Sequence, residues 1–194
     1  MNRNFWQGER VRLRAIEEED AQAEYYAIDE NFDSESERYG DMIGFPTTPQ
    51  RMADVIAEMS AKEPEGDEFF MIIENEEGEV IGNINSHSCS RRMGHFRYGI
   101  DIMERYRGMG YGTEAVLLLL RYFFCELRYH KCNVGIYSFN KPSIAFHESL
   151  GFVREGTLRR HVRVGDRLCD VAVYGMLKED FETLHGSDIL TDKR

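Results

Sequence analysis

One short run limits what this chain can fold into: Arg107-Gly108-Met109-Gly110-Tyr111-Gly112. It follows a stretch with the alternation of a strand and opens a long apolar stretch of helical character. Glycines at alternate positions let the backbone turn tightly with no Cβ in the way. A helix that starts at such a turn points its free N–H groups into the loop, which suits an anion and above all a phosphate. The run therefore predicts a strand-turn-helix unit and a phosphate-bearing ligand.

Spacing excludes two familiar phosphate cradles. A P-loop needs Gly-Lys followed by Ser or Thr, and here Gly112 is followed by Thr113 with no lysine. The dinucleotide fingerprint needs a further glycine where Thr113 stands, and it belongs near the start of a domain, whereas this run lies past mid-chain.

The rest of the chain reads as alternating strands and helices. Arg10 to Ile16 alternates polar and apolar residues as a half-buried strand does. Glu17 to Asp20 crowds acid into what reads as a first helical turn, favourable against the helix dipole, in a helix expected to reach about Asp29. Residues 29–46 read as a polar loop. Thr48-Pro49 is an N-cap followed by proline at the first position, starting a helix that ends near Ala61. Phe69 to Ile73, Val80 to Ile84 and His95 to Met103 read as three strands with turns at Asn75 to Gly78 and Cys89 to Gly94. A helix apolar almost all round follows from Tyr111 to about Arg128 and is expected deep in the core. Cys132 to Phe139 is a strand, and Pro142 to Leu150 a short helix closed by Gly151. Phe152 to Val162 and Leu168 to Met176 form a hairpin around Val164-Gly165-Asp166. The expectation is an α/β (α+β) single domain over 1–180, with a mixed sheet of about seven strands and about four helices, and a polar tail over 181–194 that is loose after about His185.

Charge and composition narrow the partners. A formal net charge of −11 disfavours nucleic acid, which needs a basic surface, and fits a cationic substrate or plain solubility. Cys89, Cys125, Cys132 and Cys169 lack metal-ligand spacing and follow no secretory signal, so no metal and a reduced, cytoplasmic setting are expected. The apolar run around Leu117 to Cys125 is far short of the roughly 20 residues of a membrane span.

A second stretch makes the glycine run specific. Asn140-Lys-Pro-Ser143-Ile-Ala-Phe146-His147-Glu-Ser-Leu150-Gly151-Phe152 follows the next strand. Together with Arg107 to Gly112, it resembles the GNAT superfamily of acetyl-CoA-dependent N-acetyltransferases, whose motifs are Gln/Arg-x-x-Gly-x-Gly/Ala and a later Asn…Gly-Phe. The order of elements matches from Val11 to Met176. Glu155-Gly156-x-Leu158 and the opening Val11-Arg-Leu-Arg14 resemble the branch that includes ribosomal-protein N-terminal and spermidine acetyltransferases.

The resemblance implies direct attack of a primary amine on the acetyl thioester of acetyl-CoA. Backbone N–H groups of Gly108, Met109, Gly110, Tyr111, Gly112 and Thr113 would bind the pyrophosphate, and Arg107 either adds charge there or serves packing or a surface ion pair. Ile100, Asp101 and Ile102 would pair with the pantetheine arm, and Asn140 and Ser143 would lie beside pantetheine or adenosine. Asn140 also reads as a helix cap. Where the family usually places a tyrosine that protonates the leaving thiolate, this chain has His147. His147 is either that donor or a bystander. For the base that deprotonates the amine, Asp101 and Glu104 lie near the strand end, His87, His95 and Tyr98 are weaker candidates, and a water relay is equally good. Arg97 stands where relatives often carry Glu.

In the superfamily the acceptor is chosen by segments that correspond here to about 25–46 and 160–168. The first carries Asp29, Glu30, Asp33, Glu35 and Glu37, which suit a polyamine as well as a solvated face. A peptide N-terminus fits equally. Other readings are a non-catalytic acetyl-CoA- or partner-binding module and an enzyme using another acyl thioester such as succinyl-CoA. Relatives often form dimers, so a homodimer is also an expectation.

Overall fold

The computed structural model describes residues 4–26 and 48–190. Seven strands form one mixed sheet: β1 (Val11–Arg14), β2 (Phe70–Asn75), β3 (Val80–Ser90), β4 (His95–Ile102), β5 (Lys131–Tyr137), β6 (Val153–Val164) and β7 (Arg167–Leu177). Their order is β1-β2-β3-β4-β5-β7-β6. The helices are α1 (Pro49–Ala61), α2 (Tyr111–Arg121), α3 (Lys141–Ser149) and α4 (Lys178–Leu190). The expected mixed sheet and four helices are present. β4 and β5 pair in parallel over His95–Arg97 and Lys131–Asn133. The β1–β2, β2–β3, β5–β7 and β6–β7 pairs are antiparallel.

The described residues gather into two compact units. One takes in 4–26, 48–87 and 99–119, and the other 88–98 and 120–190. In the first, α1 is capped by Thr48, whose hydroxyl accepts the Arg51 N–H at 3.2 Å. The helix buries Ile56 against Ile16 and Ile72, with Met52, Met59 and Phe70 packed around them.

The helix expected over Glu17 to Asp29 is not formed in its described part. Two short 3₁₀ turns, Glu18–Gln22 and Glu24–Tyr26, stand there, separated by Ala23 in extended geometry (ψ 143°). The cause is Asp20. Its buried carboxylate accepts the Glu17 N–H at 2.8 Å and two N–H groups of Arg14 at 2.7 and 2.9 Å. Arg14 also donates to Glu74 on β2. The acid run thus folds back onto β1 instead of feeding a regular helix. The loop expected over 29–46, with its acidic cluster, lies outside the described residues.

In the second unit, Phe96 stacks on Phe123 with ring centroids 3.9 Å apart and meets Phe124 and Tyr129 edge-on. Here the helix expected to run to Arg128 ends at Arg121 and gives way to one π turn, Tyr122–Glu126. The Leu127 N–H reaches the Tyr122 carbonyl, five residues back, at 3.0 Å. The wider turn lets the consecutive Phe123 and Phe124 both reach Phe96. The chain after residue 180, expected as a polar tail loose after about His185, is helical to Leu190, because Phe181 is buried and packs on Phe124. The predicted hairpin turn holds, with Gly165 at φ 57°.

Asp20 predicts a fold-level effect. Burial alone raises its pKa, but the Arg14 bonds and the Glu17 amide outweigh burial and hold it below the usual 3.8. The unfolded chain therefore takes up protons first on acidification. This contribution is complete above the ordinary carboxylate value and is lost as pH falls through the lower folded value. Arg14→Met, which leaves Asp20 unpaired, is expected to cost about 3 kcal/mol in urea unfolding at neutral pH, with a smaller loss at pH 3. Equal losses at the two pH values would contradict the pairing.

Candidate functional site

After β4 the chain makes one 3₁₀ turn, Glu104–Tyr106, and then the glycine loop, before α2 starts at Tyr111. Gly108 (φ 74°) and Gly110 (φ 90°) occupy the left-handed region. These two positions need glycine for backbone reasons, whereas Gly112 lies inside α2. At Gly108 an added Cβ would meet open space.

At Gly110 a Cβ would come within 2.5 Å of the Arg10 guanidinium. Arg10 immediately precedes β1, and its Nη1 donates to the Met109 carbonyl at 2.7 Å. Its guanidinium lies 5.4 Å from the centre of the Tyr111 ring. The Glu114 carboxylate, in the first turn of α2, accepts the Arg10 N–H at 3.0 Å and also the Glu9 N–H. The loop is therefore tied at its carbonyl by Arg10, and its helix is tied by Glu114 to the segment entering β1. A carbonyl held by a cation does not compete with the N–H groups for an anion. Open space over Gly108 and a helix N-terminus behind it make a cradle that fits a phosphate.

Arg107 turns the other way. Its Nε donates to the Ile102 carbonyl at 2.7 Å and its Nη2 to Asp101 at 3.3 Å. The Asp101 and Glu104 side chains are both exposed. Ile102 is buried and Ile100 partly so.

In the second unit, Asn140 caps α3, with its Oδ1 accepting the Ser143 N–H at 3.1 Å. Gly151 (φ 96°) follows the helix end, where a Cβ would strike Leu184. His147 is buried on α3. Its Nδ1 lies 2.7 Å from the Ser143 carbonyl, which only accepts, so Nδ1 carries the proton. Nε2 is then an acceptor and has no hydrogen-bond partner among the described residues. Burial draws the His147 pKa below the usual 6.5, while the carbonyl bond opposes it.

The His147 ring packs 5.8 Å from Tyr98 and 5.3 Å from Phe152. The Tyr98 hydroxyl is buried with no hydrogen-bond partner among the described residues, and burial pushes its pKa well above 10. The Tyr98 hydroxyl is thus held in its protonated form. The residues that the sequence missed are Arg10 and Glu114, about a hundred positions apart from the groups they bind.

No helix among the described residues is long and apolar enough to cross a membrane. No group of three or more His, Cys, Asp or Glu side chains suited to a metal ion occurs among them.

The family model "Acetyltransferase (GNAT) domain" matches residues 10–153. The chain is 38% identical over 182 residues to the SPbeta prophage-derived uncharacterized N-acetyltransferase YokL of Bacillus subtilis (strain 168), covering 94% of this chain and 98% of that one. It is 31% identical over 176 residues to the uncharacterized N-acetyltransferase p20 of Bacillus licheniformis, covering 89% and 96%. Among solved structures, the spermidine N-acetyltransferase from Vibrio cholerae in complex with CoA and spermine superposes with a TM-score of 0.72 at 19% identity, over 90% of this chain and 99% of that one. At that identity the likeness concerns the fold.

Two outcomes follow from the geometry. Gly108→Ala is expected to cost about 1–2 kcal/mol, the left-handed backbone alone. Gly110→Ala displaces Arg10 as well and costs more; equal losses in urea unfolding would contradict the Arg10 tie. Nitrogen-15 NMR is expected to find His147 in its Nδ1–H form and neutral at pH 7, titrating below 6.5. Between the folded and unfolded values the unfolded chain holds the extra proton, so this histidine costs stability as pH falls below about 6.5. Titration above 6.5 would contradict its burial.

Proposed function

The chain belongs to the GNAT acetyltransferase family, and we propose that it transfers the acetyl group of acetyl-CoA to a primary amine by direct attack in a ternary complex. The observation that carries this reading is the loop of Gly108 and Gly110 at the start of α2, with the Met109 carbonyl held by Arg10. The backbone N–H groups from Gly108 to Thr113 take the pyrophosphate, while the Arg107 N–H is spent on the Glu104 carbonyl at 3.1 Å. Ile100 to Ile102 take the pantetheine arm.

The reaction forms a C–N bond, breaks the thioester C–S bond and moves one proton from amine to thiolate. His147 as a simple acid is disfavoured, because its neutral ring offers only a lone pair at Nε2. The roles fit better when Nε2 accepts the amine proton. Tyr98, held protonated by burial, donates to the thiolate and recovers its proton from the His147 imidazolium packed beside it. Asp101, turned to Arg107, and Glu104, exposed, then serve the charge of the incoming amine and take no proton.

The acceptor is a polyamine, a ribosomal-protein N-terminus or another small amine. The polyamine choice draws support from the Vibrio cholerae neighbour, which is in complex with CoA and spermine. The four cysteines, none of them in a disulfide, suit a reducing, cytoplasmic setting, and the exposed outer strand β6 suits a homodimer, which light scattering tests. A non-catalytic acetyl-CoA-binding module is the second reading, favoured by histidine standing where the family usually has tyrosine.

Thiol release from acetyl-CoA is the deciding measurement, with polyamines, aminoglycosides and ribosomal-protein N-terminal peptides as acceptors. Amine-dependent release is expected; acetyl-CoA binding without release from any acceptor would favour the module. Tyr98→Phe is expected to lower kcat about 10²-fold at nearly unchanged KM for acetyl-CoA. Unchanged kcat would remove Tyr98 from the proton path.

A further inference from the structure

Glycine at position 110 leaves one choice open that the loop itself does not make. Gly110 stands at φ 90°, but glycine adopts positive and negative φ with nearly equal ease. The peptide joining Met109 to Gly110 is planar and trans, so its C=O and N–H point in opposite directions. Turning that one plane over would set a carbonyl where an anion needs a donor. Within the glycine run no group holds the plane. The Gly110 N–H has no hydrogen-bond partner among the described residues, and the Gly110 carbonyl, which accepts the Glu114 N–H at 3.2 Å, belongs to the next peptide.

The hold comes from the Arg10 guanidinium on the Met109 carbonyl, and that guanidinium is itself aimed. The segment before β1 folds back on itself: the Gly8 N–H reaches the Val11 carbonyl at 2.8 Å, and the Leu13 N–H reaches the Trp6 carbonyl at 2.9 Å. The Glu9 and Arg10 N–H groups at its tip both meet one oxygen of the Glu114 carboxylate. Successive N–H groups converging on one carboxylate make a small anion nest. The fit is close, because a Cβ at Gly8 would strike that carboxylate. The other Glu114 oxygen lies 3.6 Å from Arg10 Nε. Glu114 stands in the first turn of α2. The helix behind the loop therefore grips the tip, and the tip's guanidinium grips the loop, all within the first unit.

We infer that Arg10 is a positioning residue for coenzyme A and that Glu114 positions Arg10. Together they hold the 109–110 peptide with its N–H turned away from the guanidinium and free for the pyrophosphate. The inference rests on the acyl-transfer reading, in which this loop takes the pyrophosphate, and assigns part of the affinity for that group to two side chains outside the loop. The sign of one substitution separates this role from plain electrostatics. A carboxylate near an anion site opposes the anion by its charge, so removing Glu114 would strengthen binding if charge were its whole effect. As the group that aims Arg10, Glu114 has the opposite effect, and its removal weakens binding.

Initial rates of thiol release are measured with acetyl-CoA and with S-acetylpantetheine, which carries the same thioester without the pyrophosphate. The parent enzyme is expected to prefer acetyl-CoA in kcat/KM. Arg10→Met is expected to lower that preference about tenfold or more, the size of one charge-assisted hydrogen bond, through KM for acetyl-CoA more than through kcat. Arg10→Lys, which keeps the charge without the planar fork, retains part of the preference. Glu114→Ala lowers it too, and the double variant loses little beyond Arg10→Met, because the two residues act in series. Equal losses with both donors would mean general damage to the fold and overturn the inference. A preference unchanged in Arg10→Met, or raised in Glu114→Ala, overturns it as well. Absence of thiol release from acetyl-CoA with every acceptor would instead count against the acyl-transfer reading. The inference is then decided by calorimetric titration of parent and variants with CoA and with pantetheine. A loss of affinity in both single variants for CoA and not for pantetheine supports it. Equal affinities of parent and variants for CoA, or no binding of CoA to the parent, overturn it.

Discussion

The Met109 carbonyl, and what holds it, governs the glycine loop. A loop that binds an anion through its N–H groups has to send its carbonyls elsewhere. Here the Arg10 guanidinium takes that carbonyl, and the space it occupies is the reason no side chain fits at Gly110. Glu114 completes the arrangement by accepting two N–H groups of the segment that carries Arg10. The conformation of a six-residue motif is thus held by residues outside it, and the dipole of α2 is aimed by the same contacts.

Strand β4 shows how a period of two divides labour. Phe96 and Tyr98 point to the buried side, where Phe96 anchors an aromatic cluster and Tyr98 meets His147. Arg97, between them, points to the half-open side. Burial acts on both in opposite directions: it pushes the Tyr98 hydroxyl up and draws the His147 imidazole down, and each change favours the neutral form.

Most of the fold was legible because its signals are local. Thr48-Pro49 caps α1, Asn140 caps α3, and Gly151 and Gly165 mark turns, each acting within a few residues. The errors fell where a distant partner overrode local propensity. Asp20 favours a first helical turn but is captured by Arg14, so the helix breaks. The apolar run after Tyr111 reads as one helix, yet two adjacent phenylalanines competing for Phe96 force a π turn. The polar composition after residue 180 hides Phe181, whose single buried ring holds α4.

The sequence by itself determined the family, the order of elements, the turn at the glycine run and the candidate status of His147. These rest on short-range spacing and backbone conformations that only certain residues adopt. Tertiary structure decided which ring nitrogen of His147 carries the proton, that the Tyr98 hydroxyl is buried, that Arg107 turns back to Asp101 and that Arg10 shapes the loop. Each of these depends on which groups meet across the chain and how much water reaches them, and neither is encoded in the spacing of neighbours.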